Sequence, residues 1–112
     1  MNNDPVCSLL GMCAKGRNAV SGEFSTENAV KAKKASVVIV ATDASDNTKK
    51  KFKDMCFYRQ IPIFLYSDKD TLGRSIGCEM RAVIAVTDEG LGRAVMKKLV
   101  GLGITEEVNE SK

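Results

Sequence analysis

The sequence predicts a three-layer α/β/α domain. Three apolar runs carry that expectation: Val37–Val40 (VVIV), residues 63–66 (IFLY) and residues 82–86 (AVIAV). None alternates with polar residues, which is the pattern of strands covered on both faces. Stretches with helical spacing, each opened by a capping residue, separate them. Strands interleaved with helices place a helix layer on each side of one sheet. A chain of 112 residues makes one domain with a modest core. Residues 1–104 read as that domain, and residues 105–112, with little to bury, as a mobile tail.

In chain order, Asp4 caps a first helix and Pro5 suits its first turn. Val6, Leu9, Leu10 and Cys13 recur at helical spacing, and Gly16 ends the run. Residues 18–21 read as a short strand broken by Gly22. Ser25 or Thr26 then starts a second helix through about Lys33, with a thin apolar stripe of Phe24, Ala29 and Val30. Residues 37–40 form the central strand, and Thr42-Asp43-Ala44-Ser45 is turn and capping chemistry. A lysine-rich helix follows, with Phe52, Met55 and Cys56 facing inward. Pro62 stands at a strand start, where proline is permitted. Ser67 caps a short helix with Leu72 and Ile76 inward, Gly77 ends it, and residues 78–81 connect to the third buried strand. Thr87 or Asp88 caps the last helix, whose stripe is Leu91, Ala94, Val95, Lys98, Leu99 and Leu102.

Composition narrows the functions available. Lys and Arg number 17 against 14 acidic residues, a net charge of +3, which permits a nucleic-acid partner without demanding one. No apolar run is long enough to span a membrane, and the N-terminus lacks the basic start and apolar run of a signal peptide, so a cytoplasmic location is expected. Histidine is absent, which removes the commonest general base and every Ser–His or Cys–His nucleophile. The cysteines at 7, 13, 56 and 78 form no Cys-x-x-Cys pair, which speaks against a metal site, and Cys13 and Cys56 fall on apolar faces of the expected helices, so buried thiols are expected. No cofactor is expected, and no enzymatic activity.

Several segments carry candidate chemistry, each with a plainer alternative. Lys49, Lys50, Lys51 and Lys53 could neutralise phosphates or be a solvated helix face. Lys31, Lys33 and Lys34 form a second basic cluster, which would also offset a helix dipole. Gly22-Glu23-Phe24-Ser25 could present backbone N–H groups to an anion and a phenyl ring to a base, or be an ordinary helix start with Phe24 in the core. The loop 77–81, with Glu79, Met80 and Arg81, could meet a phosphate and a base or serve as a connector. Asp43, Asp46 and Asp54 do not complete a phosphoryl-accepting set, and Gly90-x-Gly92 is too short for a dinucleotide fingerprint.

Cys56, Ile61-Pro62, Lys69 and Leu72-Gly73 match in spacing the signature of the kink-turn-binding ribosomal protein family, the L-seven-Ae group. The chain resembles its bacterial YlxQ-type branch in four ordered blocks: LLGMCAKGRNAVSGE (9–23), ATDASDNTKKK (41–51), LGRSIG (72–77) and AVTDEG (85–90). The resemblance implies a sandwich around a mixed four-stranded sheet that binds kinked RNA containing sheared G·A pairs. It implies contact through the start of the second helix and the loop before the last strand, here residues 22–28 and 77–81. On that basis Gly22 supplies backbone approach, with Glu23 beside it; Phe24, Ser25 and Asn28 face base edges; Lys31 and Lys33 meet phosphates; Glu79, Met80 and Arg81 close the second side. Where the family pattern has Asn-Glu and then Lys, this chain has Phe24, Ser25 and Asn28, and a one-residue shift brings in Glu23 instead. The expected partner is structured RNA, ribosomal or a regulatory leader, with ribosomal or translation-factor proteins beside it and the chain as a monomer. A protein-interaction module that has kept the fold and lost the RNA is the alternative.

Overall fold

The computed structural model describes residues 4–109. Its elements run α1 (Pro5–Lys15), β1 (Ala19–Ser21), α2 (Glu23–Lys31), β2 (Val37–Val40), α3 (Asp46–Arg59), β3 (Ile63–Leu65), α4 (Lys69–Ser75), β4 (Val83–Val86) and α5 (Glu89–Gly101). The strands form one sheet in the order β1-β4-β2-β3. β4 is antiparallel to both β1 and β2, and β2 is parallel to β3, so the sheet is mixed. α1 packs with α4 and α5 on one face, and α2 with α3 on the other. The architecture is the three-layer α/β/α sandwich.

Two of the three apolar runs occupy the centre as β2 and β4; the third, β3, lies at the sheet edge with Leu65 only partly buried. Every residue of β2 and β4 is buried, as an unbroken apolar strand requires when helices cover both faces. Phe52, Phe64, Leu10, Leu72 and Leu99 pack against them, each at most 1% exposed. Full burial of side chains of this size contributes roughly 1.5–3 kcal/mol each.

Side chains cap α1, α3, α4 and α5: Asp4 accepts from the N–H of Val6 and Cys7, Ser45 from Thr48, Asp68 from Thr71 and Asp88 from Leu91. Burial works against the Asp4 carboxyl, but hydrogen bonds from Tyr66 Oη and the two amides still hold it below its usual value. The cap of α4 is therefore Asp68, not Ser67, which takes a left-handed φ of 64° and accepts from both the N–H and the hydroxyl of Thr42 through its carbonyl. α2 departs further from expectation. Ser25 and Thr26 lie inside the helix; its N-cap is Gly22, and it ends at Lys31. Residues 105–109 form no helix or strand, yet Glu107 is fixed twice, by its N–H on the Ile63 carbonyl (2.9 Å) and by its carboxylate on Lys53 (3.2 Å). Residues 110–112 of the expected tail lie outside the described residues.

The thiols of Cys7, Cys13 and Cys56 are buried, and Cys78 is partly exposed. Burial pushes the Cys56 thiol up to about 12 and raises that of Cys13. Among the described residues no group of three or more metal-ligating side chains occurs. No helix there is long and apolar enough to cross a membrane.

Candidate nucleic-acid interface

One end of the sandwich gathers the starts of α1 to α4. Tyr66, just past β3, holds Asp4 at 2.5 Å. Asp43, just past β2, accepts from the N–H of Lys69 at the start of α4. Glu23, at the start of α2, accepts from Thr48 in the first turn of α3. Four helix N-termini at one end concentrate positive dipole ends there.

At that end α2 has no side-chain cap hydrogen bond. Gly22 sits at φ 84°, ψ 161°, a conformation that L side chains rarely adopt, and a Cβ there would have nothing within 4 Å. The glycine is thus required by the backbone turn, and the space beside it is open to a ligand. Its N–H donates to the Val83 carbonyl (3.0 Å), which extends the β1–β4 pairing and fixes where α2 begins. Thr26, Ala29 and Val30 form the buried face of the helix. That register turns Phe24, Ser25 and Asn28 outward. Phe24 is 79% exposed, so the expectation that it joins the core does not hold.

Glu23 has a different fate from its neighbours. Its Oε2 accepts from Thr48 Oγ1 (2.8 Å), and Thr48 Oγ1 in turn accepts from Ser45 (3.0 Å). Lys51 Nζ lies 3.9 Å from the other carboxylate oxygen. The side chain therefore braces α2 against α3. One turn on, Glu27 pairs with both Lys31 and Lys51 at 2.8 Å, and these two hydrogen bonds pull its carboxyl down to about 2.

The loop 77–81 reaches the same end by a separate route. Gly77 turns at φ 77°, and the N–H of Cys78 donates to the Gly73 carbonyl (2.8 Å). Gly73 gives the loop its seat, since a Cβ there would stand 1.7 Å from the Glu79 carbonyl oxygen. The Arg81 N–H donates to the Lys69 carbonyl (3.1 Å). Its guanidinium donates through Nε to Ser21 Oγ and through Nη1 to the Met80 carbonyl, both at 3.0 Å. Ser21 directly precedes Gly22, so Arg81 ties the loop to the entrance of α2. Glu79 is exposed, and Met80 is 54% exposed.

The structure thus brings Gly22, Glu23, Phe24 and Ser25 together with the loop of Glu79, Met80 and Arg81, and Asn28 follows one turn down α2. It does not bring Lys31 and Lys33 there. At about 1.5 Å per residue Lys31 lies about 12 Å from Glu23, and Lys33 lies beyond it. Of the α3 lysines, Lys50, Lys51 and Lys53 are paired with Asp54, Glu27 and Glu107, which supports the solvated-face alternative for that run. Sequence reasoning missed Ser21, Thr48, Lys51 and Gly73 as positioning residues; only the Leu72-Gly73 pair hinted at one. A groove of about 710 Å³ between α1 and α4, lined by Ser8, Met12, Lys15 and Arg74 among others, belongs to the layer opposite α2.

The fold and this two-segment face define a small α/β/α protein of one family: residues 6–96 match the ribosomal protein L7Ae/L30e/S12e/Gadd45 family, and the chain belongs to it. Within that family it is similar to the RNA-binding protein YlxQ of Bacillus subtilis (strain 168), 40% identical over 91 residues, which cover 81% of this chain and 91% of that protein. It is 31% identical over 100 residues to the RNA-binding protein YlxQ of Enterococcus faecium, covering 89% and 96% respectively. Among solved structures, a protein of unknown function from Bacillus halodurans superposes with a TM-score of 0.85 at 36% identity, covering 88% of this chain and 99% of that one. The Giardia lamblia 15.5kD RNA binding protein shares the fold at a TM-score of 0.74 and 21% identity, with 92% of each chain covered.

Proposed function

We propose that this chain is a non-enzymatic RNA-binding protein that recognises structured, kink-turn-like RNA in the cytoplasm through the α2 entrance and the loop 77–81. The Arg81–Ser21 hydrogen bond carries the reading, because it makes one surface of two segments that are separate in sequence. Family membership and the names of the two curated relatives support RNA as the partner. An A-form major groove is too narrow for side chains to read, whereas a kink opens it and splays bases outward. The uncapped start of α2 suits a phosphate. Phe24 and Met80, exposed on the two segments, suit unstacked bases; stacking on an aromatic ring is worth about 1–3 kcal/mol per base.

Glu23 is engaged with Thr48, so base reading at the helix start falls to Phe24, Ser25 and Asn28 rather than to a carboxylate. Recognition then depends more on the shape of the RNA than on base-edge hydrogen bonds. The test is a titration with a kink-turn against the same stem lacking its G·A pairs. Tighter binding to the kink-turn supports the proposal. Equal weak binding to both would leave general RNA affinity and remove the kink-turn claim.

A further inference from the structure

We propose that the cleft where α2 and α3 end and α5 begins is a second contact for the phosphate backbone of the same RNA, separate from the Gly22 face. The inference rests on the RNA-binding reading above. The cleft encloses about 280 Å³ and draws its lining from three stretches far apart in sequence: Lys33, Lys34 and Ser36; Gln60 and Pro62; Glu89, Arg93 and Met96. Three exposed cations, Lys33, Lys34 and Arg93, face it with a single carboxylate, Glu89.

What marks these cations is that one cleft gathers three of them without an ion pair; Lys49, Lys97 and Lys98 also lack one among the described residues but do not line this cleft. Lys31, Lys50, Lys51 and Lys53 each hold a carboxylate within 4 Å, whereas among the described residues no ion pair involves Lys33, Lys34 or Arg93. Compensation of helix dipoles would account for lysines after the last turn of α2, but not for Arg93, which lies in the first half of α5. Ala35 and Ile61, which also line the cleft, are at most 9% exposed. The accessible lining is then the partly exposed Pro62 and Met96 with three cations around them, and point charges of this kind hold a phosphodiester chain without reading its sequence.

A path also joins the two ends. Phe24, Ser25, Asn28, Lys31 and Ala32 are exposed at spacings of three and four, a continuous stripe down α2 from Gly22 to the cleft. At about 1.5 Å per residue the stripe is about 12 Å long. An RNA confined to the Gly22 face does not reach the cleft; one with a stem extended along α2 does.

The experiment compares a kink-turn with minimal stems and the same kink-turn with the stem lengthened stepwise. The proteins are wild type and the triple variant Lys33→Asn, Lys34→Gln, Arg93→Gln. Asparagine is chosen at 33 because it tolerates the left-handed backbone there, φ 59°. Wild type is expected to bind the long RNA at least tenfold more tightly than the short one. The triple variant should match wild type on the short RNA and lose that gain. Its salt slope on the long RNA should fall by about 2 to 3, near 0.9 for each phosphate neutralised. Three results would overturn the proposal: no effect of stem length on wild type, a length gain kept by the variant, or an equal loss on both RNAs. Failure of wild type to bind even the short RNA would overturn the underlying RNA reading as well, and so is distinguishable from failure of the cleft alone.

Discussion

Gly73→Ala tests how the scaffold sets the interface. The added Cβ would lie 1.7 Å from the Glu79 carbonyl oxygen, 2.5 Å from its carbon and 3.2 Å from the Met80 Cα. All three are backbone atoms, so no rotamer change relieves the contact. Reaching a van der Waals separation of about 3.5 Å requires the loop to retreat by about 1.8 Å. That retreat is enough to break the Arg81–Ser21 bond, now 3.0 Å, and to move Met80 away from the α2 entrance. Overpacking of this kind costs typically 1–3 kcal/mol, and replacing a helical glycine by alanine returns up to about 1 kcal/mol. Net destabilisation of about 1–2 kcal/mol is expected in urea unfolding, with at least a tenfold loss of RNA affinity. Gly101→Ala, in the last turn of α5 with nothing within 4 Å, is the control and should be neutral or stabilising by up to about 1 kcal/mol. A Gly73→Ala protein with unchanged stability and unchanged RNA affinity would refute the reasoning that this glycine seats the loop.

Other consequences are equally direct. The Thr26 hydroxyl is buried without a hydrogen-bond partner, so Thr26→Val should stabilise the fold by about 1 kcal/mol in urea unfolding; a loss would mean that the hydroxyl has a partner in solution. Hydrogen bonds from Lys31 and Lys51 pull the Glu27 carboxyl from 4.5 to about 2, so this network stabilises above pH 4.5 and is lost as the pH falls towards 2. The stability gap between wild type and Glu27→Gln should close over that interval, and a gap independent of pH would contradict the pairing. Cys78 should be alkylated before the three buried thiols, and bound RNA should protect it because it lies in the loop 77–81; unchanged labelling in saturating RNA would count against the loop as a contact.

The central strands were legible because four consecutive apolar residues can be buried on both faces only inside a covered sheet, and β2 and β4 are such runs. The start of α2 was not. Ser25 and Thr26 carry capping hydroxyls, yet the helix is fixed earlier by a hydrogen bond from Gly22 to Val83, a residue sixty-one positions away in sequence. Phe24 looked like a core residue by type. Its exposure follows from a register that spends the buried face on Thr26, Ala29 and Val30. The loop 77–81 and the α2 entrance were each readable as weak candidates. What joins them, the Arg81–Ser21 bond, is a tertiary contact that no local pattern encodes. The same holds for Lys33, which the family resemblance grouped with Gly22 and the fold groups with Arg93.

The central claim is that RNA meets one composite face. Amide chemical-shift perturbation on titrating a kink-turn RNA into labelled protein tests it most directly. The account expects the largest shifts at residues 22–28 and 77–81 together, appearing at the same RNA concentration. Shifts confined to one of those segments, or centred instead on the groove between α1 and α4, would contradict it.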